Sequence, residues 1–223
     1  MIVVSSFDVE VVIGRIQSAI EKTWDEWTSE RMREDGRDRS YTYELKRRIW
    51  RMGFEHPCVY PRASGLRPGE QQEATSLLSA RNAHPRTWHH DKRGTLEHST
   101  FKEFLFDVSW TEYASEYSGA PEDNYIDPPP FTRLLLAFES ELGPKPEVVY
   151  DFDKLLSARS ELRVMVWQSR RAKSKYAGGI QELPRRLEAA GEAGQGWWLL
   201  SAWGDDGIEH RVYHNGERQD ENE

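Results

Sequence analysis

The sequence predicts an α/β domain in which helices cover both faces of a mixed β-sheet. Segments with helical periodicity alternate with short strand-like runs along the chain, which is the order of elements that builds such domains. A length of 223 residues suits one domain, and 9 Trp, 9 Tyr and 8 Phe supply a core although only 37% of the residues are hydrophobic. We therefore predict one domain over residues 1–215, followed by a disordered acidic tail over residues 216–223.

Composition also narrows the class of protein. The single cysteine, Cys58, excludes an intramolecular disulfide. The first twelve residues lack the basic region of a signal peptide, and no apolar run approaches the length of a membrane helix, so we expect a cytoplasmic protein without membrane contact. The net charge is −8, and residues 101–161 hold thirteen Asp and Glu against five Lys and Arg. Such an acidic segment is either a solvated surface or a set of carboxylates gathered around metal ions.

The first part of the chain predicts two helices, a short strand and a long polar insertion. Apolar residues recur at spacings of three and four from Ile13 to Trp27, which is typical of an amphipathic helix. A second helix is expected from about residue 39 to Met52, because Gly53 is a stop signal. Residues 54–60 have the composition of a strand. A polar insertion with many Pro and Gly residues follows at about residues 61–100, with a short helix expected at about 71–81.

The remaining chain predicts the sheet. Residues 101–111 and 162–168 have strand character, and the nearly continuous apolar run over residues 132–142 is typical of a strand that is covered on both faces. Asp151 is expected to cap a helix of about nine residues. The last predicted elements are a helix over 178–191 and strands over 196–203 and 208–214.

Three acidic residues lie in apolar, strand-like segments, where a charge is not needed to keep the protein soluble. Asp107 interrupts an apolar strand, and Glu139 and Glu141 lie on one face at the end of the most hydrophobic strand. A buried carboxylate is costly unless it is paired or binds a metal, and carboxylate oxygens suit Mg²⁺ or Mn²⁺. The alternative is that these acids pair with nearby Arg or Lys at strand ends. A metal site requires that Asp107 and Glu139 approach each other.

Three segments carry a resemblance to a known family. FKEFLFDVSW, LLLAFESELG and DFDKLLSARSELRVMVW resemble the restriction-endonuclease-like, or PD-(D/E)XK, nuclease superfamily over roughly residues 40–170. The resemblance implies a restriction-endonuclease-like core, with Asp107 as the first metal-binding acid and Glu139 as the second. It also implies that Glu44 is the glutamate of the preceding helix, and that the cofactor is Mg²⁺ or Mn²⁺.

The chain departs from the family pattern at one position. Glu141 occupies the place of the lysine, as in superfamily enzymes that use Glu-x-Glu, and it would then bind the metal with Asp107 and Glu139. A lysine that has migrated to the next helix is the other route, and Lys154 is the candidate. A helical wheel places Lys154 opposite Phe152 and Leu155, on a face that is more often solvated.

These features favour a Mg²⁺-dependent nuclease whose expected substrate is DNA. Two basic clusters are candidates for phosphate contacts, with a solvated surface as the alternative. The competing hypothesis is a non-catalytic module that binds nucleic acid or protein on the same fold. A subunit of a larger assembly, or a homodimer, is compatible with either hypothesis. The basic candidates are Arg47, Arg48, Arg51, Arg170 and Arg171.

Overall fold

A computed structural model describes residues 7–29, 41–56, 59–64, 69–70, 72–73, 76, 106–113, 131–143, 145–168, 179–204 and 207–219. Within these residues the chain forms a seven-stranded mixed sheet and four α-helices of more than ten residues, which confirms the predicted α/β class. The helices are α1 (Val9–Thr28), α2 (Tyr41–Gly53), α3 (Lys145–Ser157) and α4 (Gly179–Ala189), and a 3₁₀ turn follows at Gly191–Gly194.

The strands lie in the sheet in the order in which they occur in the chain. Strands β3, β4 and β5 are parallel, and each of the other neighbouring pairs is antiparallel. The parallel strands therefore end at a common edge of the sheet. The strands are β1 (Val59–Ala63), β2 (Val108–Tyr113), β3 (Phe131–Glu141), β4 (Ser160–Gln168), β5 (Trp197–Gly204), β6 (Gly207–His214) and β7 (Glu217–Arg218).

The helices cover the two faces of the sheet as separate layers. On one face α1 and α2 pack Ile16 and Leu45 against Phe138 of β3. On the other face α3 and α4 pack Phe152 and Leu187 against the opposite side of the strands. β3 is buried from Leu134 to Ser140, as its apolar run predicted for a strand covered on both faces.

Several element boundaries differ from the predictions. The strand expected over 101–111 is β2, which begins at Val108, so Asp107 precedes the strand and does not lie inside it. Residues 54–56 form a turn, because their N–H groups donate to the carbonyls of residues 51–53, so the strand expected over 54–60 begins only at Val59. Helix α3 begins at Lys145 and carries Pro146 in its first turn, where a missing N–H costs nothing. Asp151 consequently lies inside the helix and is not its cap.

Residues 216–219 of the predicted tail belong to a turn and a short strand. Asn215 and Gly216 both have positive φ, 54° and 82°, and form the two-residue turn that favours Asn-Gly. Glu217 and Arg218 then pair with β6 as a seventh strand. Described residues 69–70, 72–73 and 76 are helical, in agreement with the short helix expected at about 71–81. The structure does not describe residues 220–223, 101–105 or the greater part of the insertion at 61–100, so the other predictions made for them lie outside the described residues. None of the described helices is both long and apolar enough to cross a membrane.

Candidate functional site

The acidic residues singled out in the sequence meet at the carboxyl end of the parallel strands. In sheets of this kind ligands bind outside the carboxyl ends of the strands. Glu139 and Glu141 are in the last three residues of β3, and Asp107 immediately precedes β2. Val108 pairs with Phe138 in the antiparallel register, so Asp107 lies beside Glu139, and the Ser140 N–H donates to Asp107 Oδ2 at 3.0 Å. We call Asp107, Glu139, Glu141 and Lys154 the carboxylate centre.

The carboxylate of Asp107 is held from the α2 layer. Lys46 Nζ of α2 lies 2.5 Å from Asp107 Oδ1, and the Ser64 hydroxyl donates to the same oxygen at 3.2 Å. An ionised carboxylate has about four lone-pair positions, two on each oxygen. Lys46 and Ser64 take both positions on Oδ1, and the Ser140 N–H takes one on Oδ2. Among the contacts of the described residues, one lone pair of Oδ2 therefore remains, on the oxygen that faces β3.

The carboxylate of Glu139 is held from the opposite layer. Glu139 is only 2% exposed, and Lys154 Nζ of α3 lies 2.5 Å from its Oε1. The same ammonium group lies 3.1 Å from Asp151 Oδ1. The Lys154 side chain is only 23% exposed, so it does not lie on the solvated face that the helical wheel offered as the alternative to a functional role. The long side chain reaches along α3 to the end of β3.

The electrostatics of the centre show an excess of negative charge. Burial raises the pKa of Glu139 to about 8, and the charges of Asp107 and Asp151 add to the rise, while Lys154 opposes it. Burial lowers the pKa of Lys154, but its ion pairs with Glu139 and Asp151 prevail and raise that pKa overall. The ammonium thus stays charged, while one lysine is shared between two carboxylates.

Glu141 lies at the rim of the centre. Its Oε1 accepts a hydrogen bond from the Gly143 N–H at 2.5 Å, in the turn that leaves β3. Partial burial raises the pKa of Glu141, and the charges of Asp151, Glu147 and Asp107 act in the same direction, against the hydrogen bond from Gly143. Glu141 is therefore within electrostatic range of the other acids, although it is tied to its own turn.

The α2 residues named in the sequence form ion pairs of their own. Glu44 is buried and lies 3.2 Å from Arg47, which also lies 2.8 Å from Glu70. Arg48 pairs with Glu26 of α1, and Arg51 lies 2.6 Å from Glu73. The three arginines are thus matched by glutamates, and Arg170 and Arg171 lie outside the described residues.

Arg48 and Arg51 also line an open groove of about 600 Å³ between α1 and α2. Arg15 and Lys22 of α1 contribute two further cations to its walls, and Glu55 lies among them. The residues that line the groove include none of the carboxylate centre. The groove is consequently a second surface on the helical layer, separate from the carboxylate centre.

The residues of the centre suit a divalent cation with few protein ligands. No group of three or more His, Cys, Asp or Glu in the described part of the chain is arranged to hold a metal ion by itself. Mg²⁺ is usually bound by one or two carboxylates together with water and substrate phosphates. Asp107, with one lone pair left on Oδ2, and the adjacent Glu139 meet that requirement, and a cation would relieve the excess negative charge.

Several residues of the site were not predicted from the sequence. Lys46 and Ser64 approach Asp107 from positions 61 and 43 residues earlier in the chain, and nothing in their local sequence indicates this contact. Asp151 could have been found, because its spacing of three from Lys154 on one helix is the spacing of helical ion pairs.

Comparison with known proteins found no matching family model, no matching curated protein and no matching solved structure. A function for this chain therefore has to be inferred from its own residues.

Proposed function

We propose that this chain is a divalent-metal-dependent nuclease with a restriction-endonuclease-like core, and that it hydrolyses phosphodiester bonds in DNA. The observation that carries the proposal is that Asp107 lies beside Glu139 in the strand register at the carboxyl end of β3 and its charge raises the pKa of Glu139, with the Lys154 ammonium 2.5 Å from Glu139. The family pattern consists of two acids and one lysine close together, and in this chain α3 supplies the lysine.

The order of elements supports the same proposal. Helix α2 carries Glu44, the strand β2 follows Asp107, and the next strand, β3, carries Glu139. This is the order in which the resemblance places the helix glutamate, the first acid and the second acid. Glu44 is buried beside Arg47, so we assign it a supporting role within α2.

The chemistry divides between a cation and the side chains. When bound, a divalent cation would neutralise charge on the phosphodiester and lower the pKa of a coordinated water. Asp107 and Glu139 would hold the cation, with Glu141 beside them. Lys46 and Ser64 fix the orientation of Asp107. The Lys154 ammonium remains charged and stabilises the negative charge that develops on the phosphate oxygens.

A non-catalytic binding module is the second candidate, and one observation favours it. Asp107 and Glu139 each already carry a lysine, so the carboxylates are partly neutralised without a metal. In that case the groove between α1 and α2, with Arg15, Arg48 and Arg51, would be the binding surface.

A cleavage assay with matched variants tests the proposal. Labelled single- and double-stranded DNA and RNA are incubated with the purified protein and Mn²⁺ or Mg²⁺. We expect Glu139→Ala and Lys154→Ala each to lower the cleavage rate by about two orders of magnitude or more, because the first removes a ligand of the cation and the second removes a positive charge at the reacting phosphate. Glu161→Ala, at an exposed residue of β4, is the control and should cleave normally.

The same variants separate the two candidates. A nuclease that has lost Glu139 keeps its affinity for nucleic acid, since one negative charge has left a surface that faces phosphates. A binding module has no cleavage to lose, and its affinity falls with Arg48→Ala instead. Wild-type protein that cleaves none of the four substrates with either metal would refute the nuclease proposal.

A further inference from the structure

Tyr150 is an exposed aromatic residue at the border of the carboxylate centre. Its side chain is 67% exposed, the highest value among the large hydrophobic residues that the structure describes. The next values are 56% for Val11 and 37% for Trp27. Trp27 stacks on Trp24 in an aromatic cluster between α1 and α2, whereas the ring of Tyr150 projects from α3 into solvent.

The position of the Tyr150 ring is defined by Lys154. The two residues are one helical turn apart on α3, and Lys154 Nζ lies over the ring, 5.8 Å from its centroid. The same nitrogen pairs with Glu139 Oε1. One face of the ring is thus directed towards the ammonium group of the centre, and the high exposure leaves a ring surface open to a ligand.

We propose that Tyr150 is a stacking platform for an unpaired nucleobase, so that the carboxylate centre takes single-stranded nucleic acid. This inference rests on the proposed function and names its substrate class. Base stacking on an aromatic side chain is the common way to hold a single strand, and it tolerates any sequence because every base has a π-face. A base in a duplex is already stacked and cannot use the ring without leaving the helix.

The charges of the described residues favour a single strand over a duplex. Binding to a duplex depends on cations that neutralise its phosphates. The arginines of α2 are already engaged, Arg47 by Glu44 and Glu70, and Arg51 by Glu73. The chain as a whole has a net charge of −8. A stacking contact beside the centre supplies affinity that does not depend on a basic groove.

A binding assay without cleavage tests the platform. A fluorescein-labelled single strand of about twelve nucleotides, within the range of known site sizes, and the matching duplex are titrated with protein in Ca²⁺, followed by anisotropy. We expect Tyr150→Ala and Tyr150→Leu to weaken single-strand binding by about tenfold, the loss of one base–aromatic contact. Tyr150→Phe keeps the ring and should bind within twofold of wild type, and duplex binding should change in none of them.

Three controls test whether a loss of single-strand binding is due to the Tyr150 ring. Glu161→Ala changes an exposed residue of β4, outside both α3 and the groove between α1 and α2, and should bind like wild type. All variants should melt like wild type, because Tyr150 is largely exposed. A 2-aminopurine base in the strand reports stacking directly, and its fluorescence should be quenched by wild type and Tyr150→Phe but not by Tyr150→Ala.

The failure of this inference is distinguishable from the failure of the proposed function. Wild type that binds no single strand, or Tyr150→Ala that binds it as tightly as wild type, overturns the stacking platform even if the protein cleaves DNA. Ring-dependent binding by a protein that cleaves nothing with Mn²⁺ or Mg²⁺ would leave the platform in place and refute the nuclease.

Discussion

The two ends of the parallel strands each bury an ionisable side chain, and the two side chains are held by different means. At the amino end, Arg163 is 6% exposed and donates to two backbone carbonyls, from Nε to Ala158 at 2.8 Å and from Nη1 to Gln195 at 2.7 Å. At the carboxyl end, Glu139 is 2% exposed and is met by the Lys154 ammonium, which it shares with Asp151.

This difference distinguishes an ionisable side chain with a structural role from one in a site that can bind a ligand. Burial lowers the pKa of Arg163 and raises that of Glu139, so both charges are costly to bury. The carbonyls that hold Arg163 belong to the turns before β4 and β5 and cannot move away without unfolding them. Lys154 is a flexible side chain that can be displaced or supplemented by a cation. The carboxyl end is therefore the end that is suited to a ligand.

The largest effect on stability is expected at the amino end. Arg163→Met leaves the carbonyls of Ala158 and Gln195 without their donor in a buried position, and we expect the free energy of unfolding to fall by about 3 kcal/mol. Urea unfolding measures this loss. Arg185→Met, at an exposed residue of α4, is the control and should change stability by less than about 0.5 kcal/mol. Equal losses of unfolding free energy in the two variants would show that Arg163 does not have this structural role.

A smaller effect is expected at Glu139, where a neutral side chain should make the melting temperature less sensitive to rising pH. Its pKa is about 8 in the folded protein against an ordinary value of 4.5, so the folded state holds the proton more tightly. The resulting stability is fully present below pH 4.5 and is lost as the pH rises through 8. Glu139→Gln, which is neutral at every pH, should therefore fall less in melting temperature than wild type between pH 5 and pH 9.

To check this prediction, the melting temperatures of Glu139→Gln and of wild type are measured as a function of pH without divalent cations, and their difference is compared across the range. Glu192→Gln, at an exposed residue of the 3₁₀ turn, should follow wild type across the range. A constant difference between Glu139→Gln and wild type at all pH values would show that Glu139 does not titrate in this window.

The sequence was sufficient to predict burial that depends on strand composition. The apolar run of β3 predicted a strand covered on both faces, and the strand is buried from Leu134 to Ser140. The start of α3 was not predicted, since Pro146 in its first turn was not recognised as part of the helix. The contact of Lys46 with Asp107 joins elements distant in the chain, and such pairs are determined by packing that no local pattern encodes.

The smallest effect is expected for Lys46. The Lys46–Asp107 ion pair is partly exposed, so Lys46→Met should lower the free energy of unfolding by about 1 kcal/mol or less in the absence of metal. The loss should shrink further in an Asp107→Asn background, because the partner charge is already absent. Lys22→Met, at an exposed residue of α1, is the matched control. A full loss in the double variant would show that Lys46 acts without Asp107.

The most direct test of the central claim is the melting temperature of the protein as Mn²⁺ is added in the absence of nucleic acid. If the carboxyl end of β3 binds a cation, saturating Mn²⁺ should raise the melting temperature of wild type by roughly 5 °C. Asp107→Asn and Glu139→Gln should lose most of that increment, while Glu192→Gln keeps it. An unchanged melting temperature in wild type, or an equal rise in Asp107→Asn, would contradict a metal site at this end of the sheet.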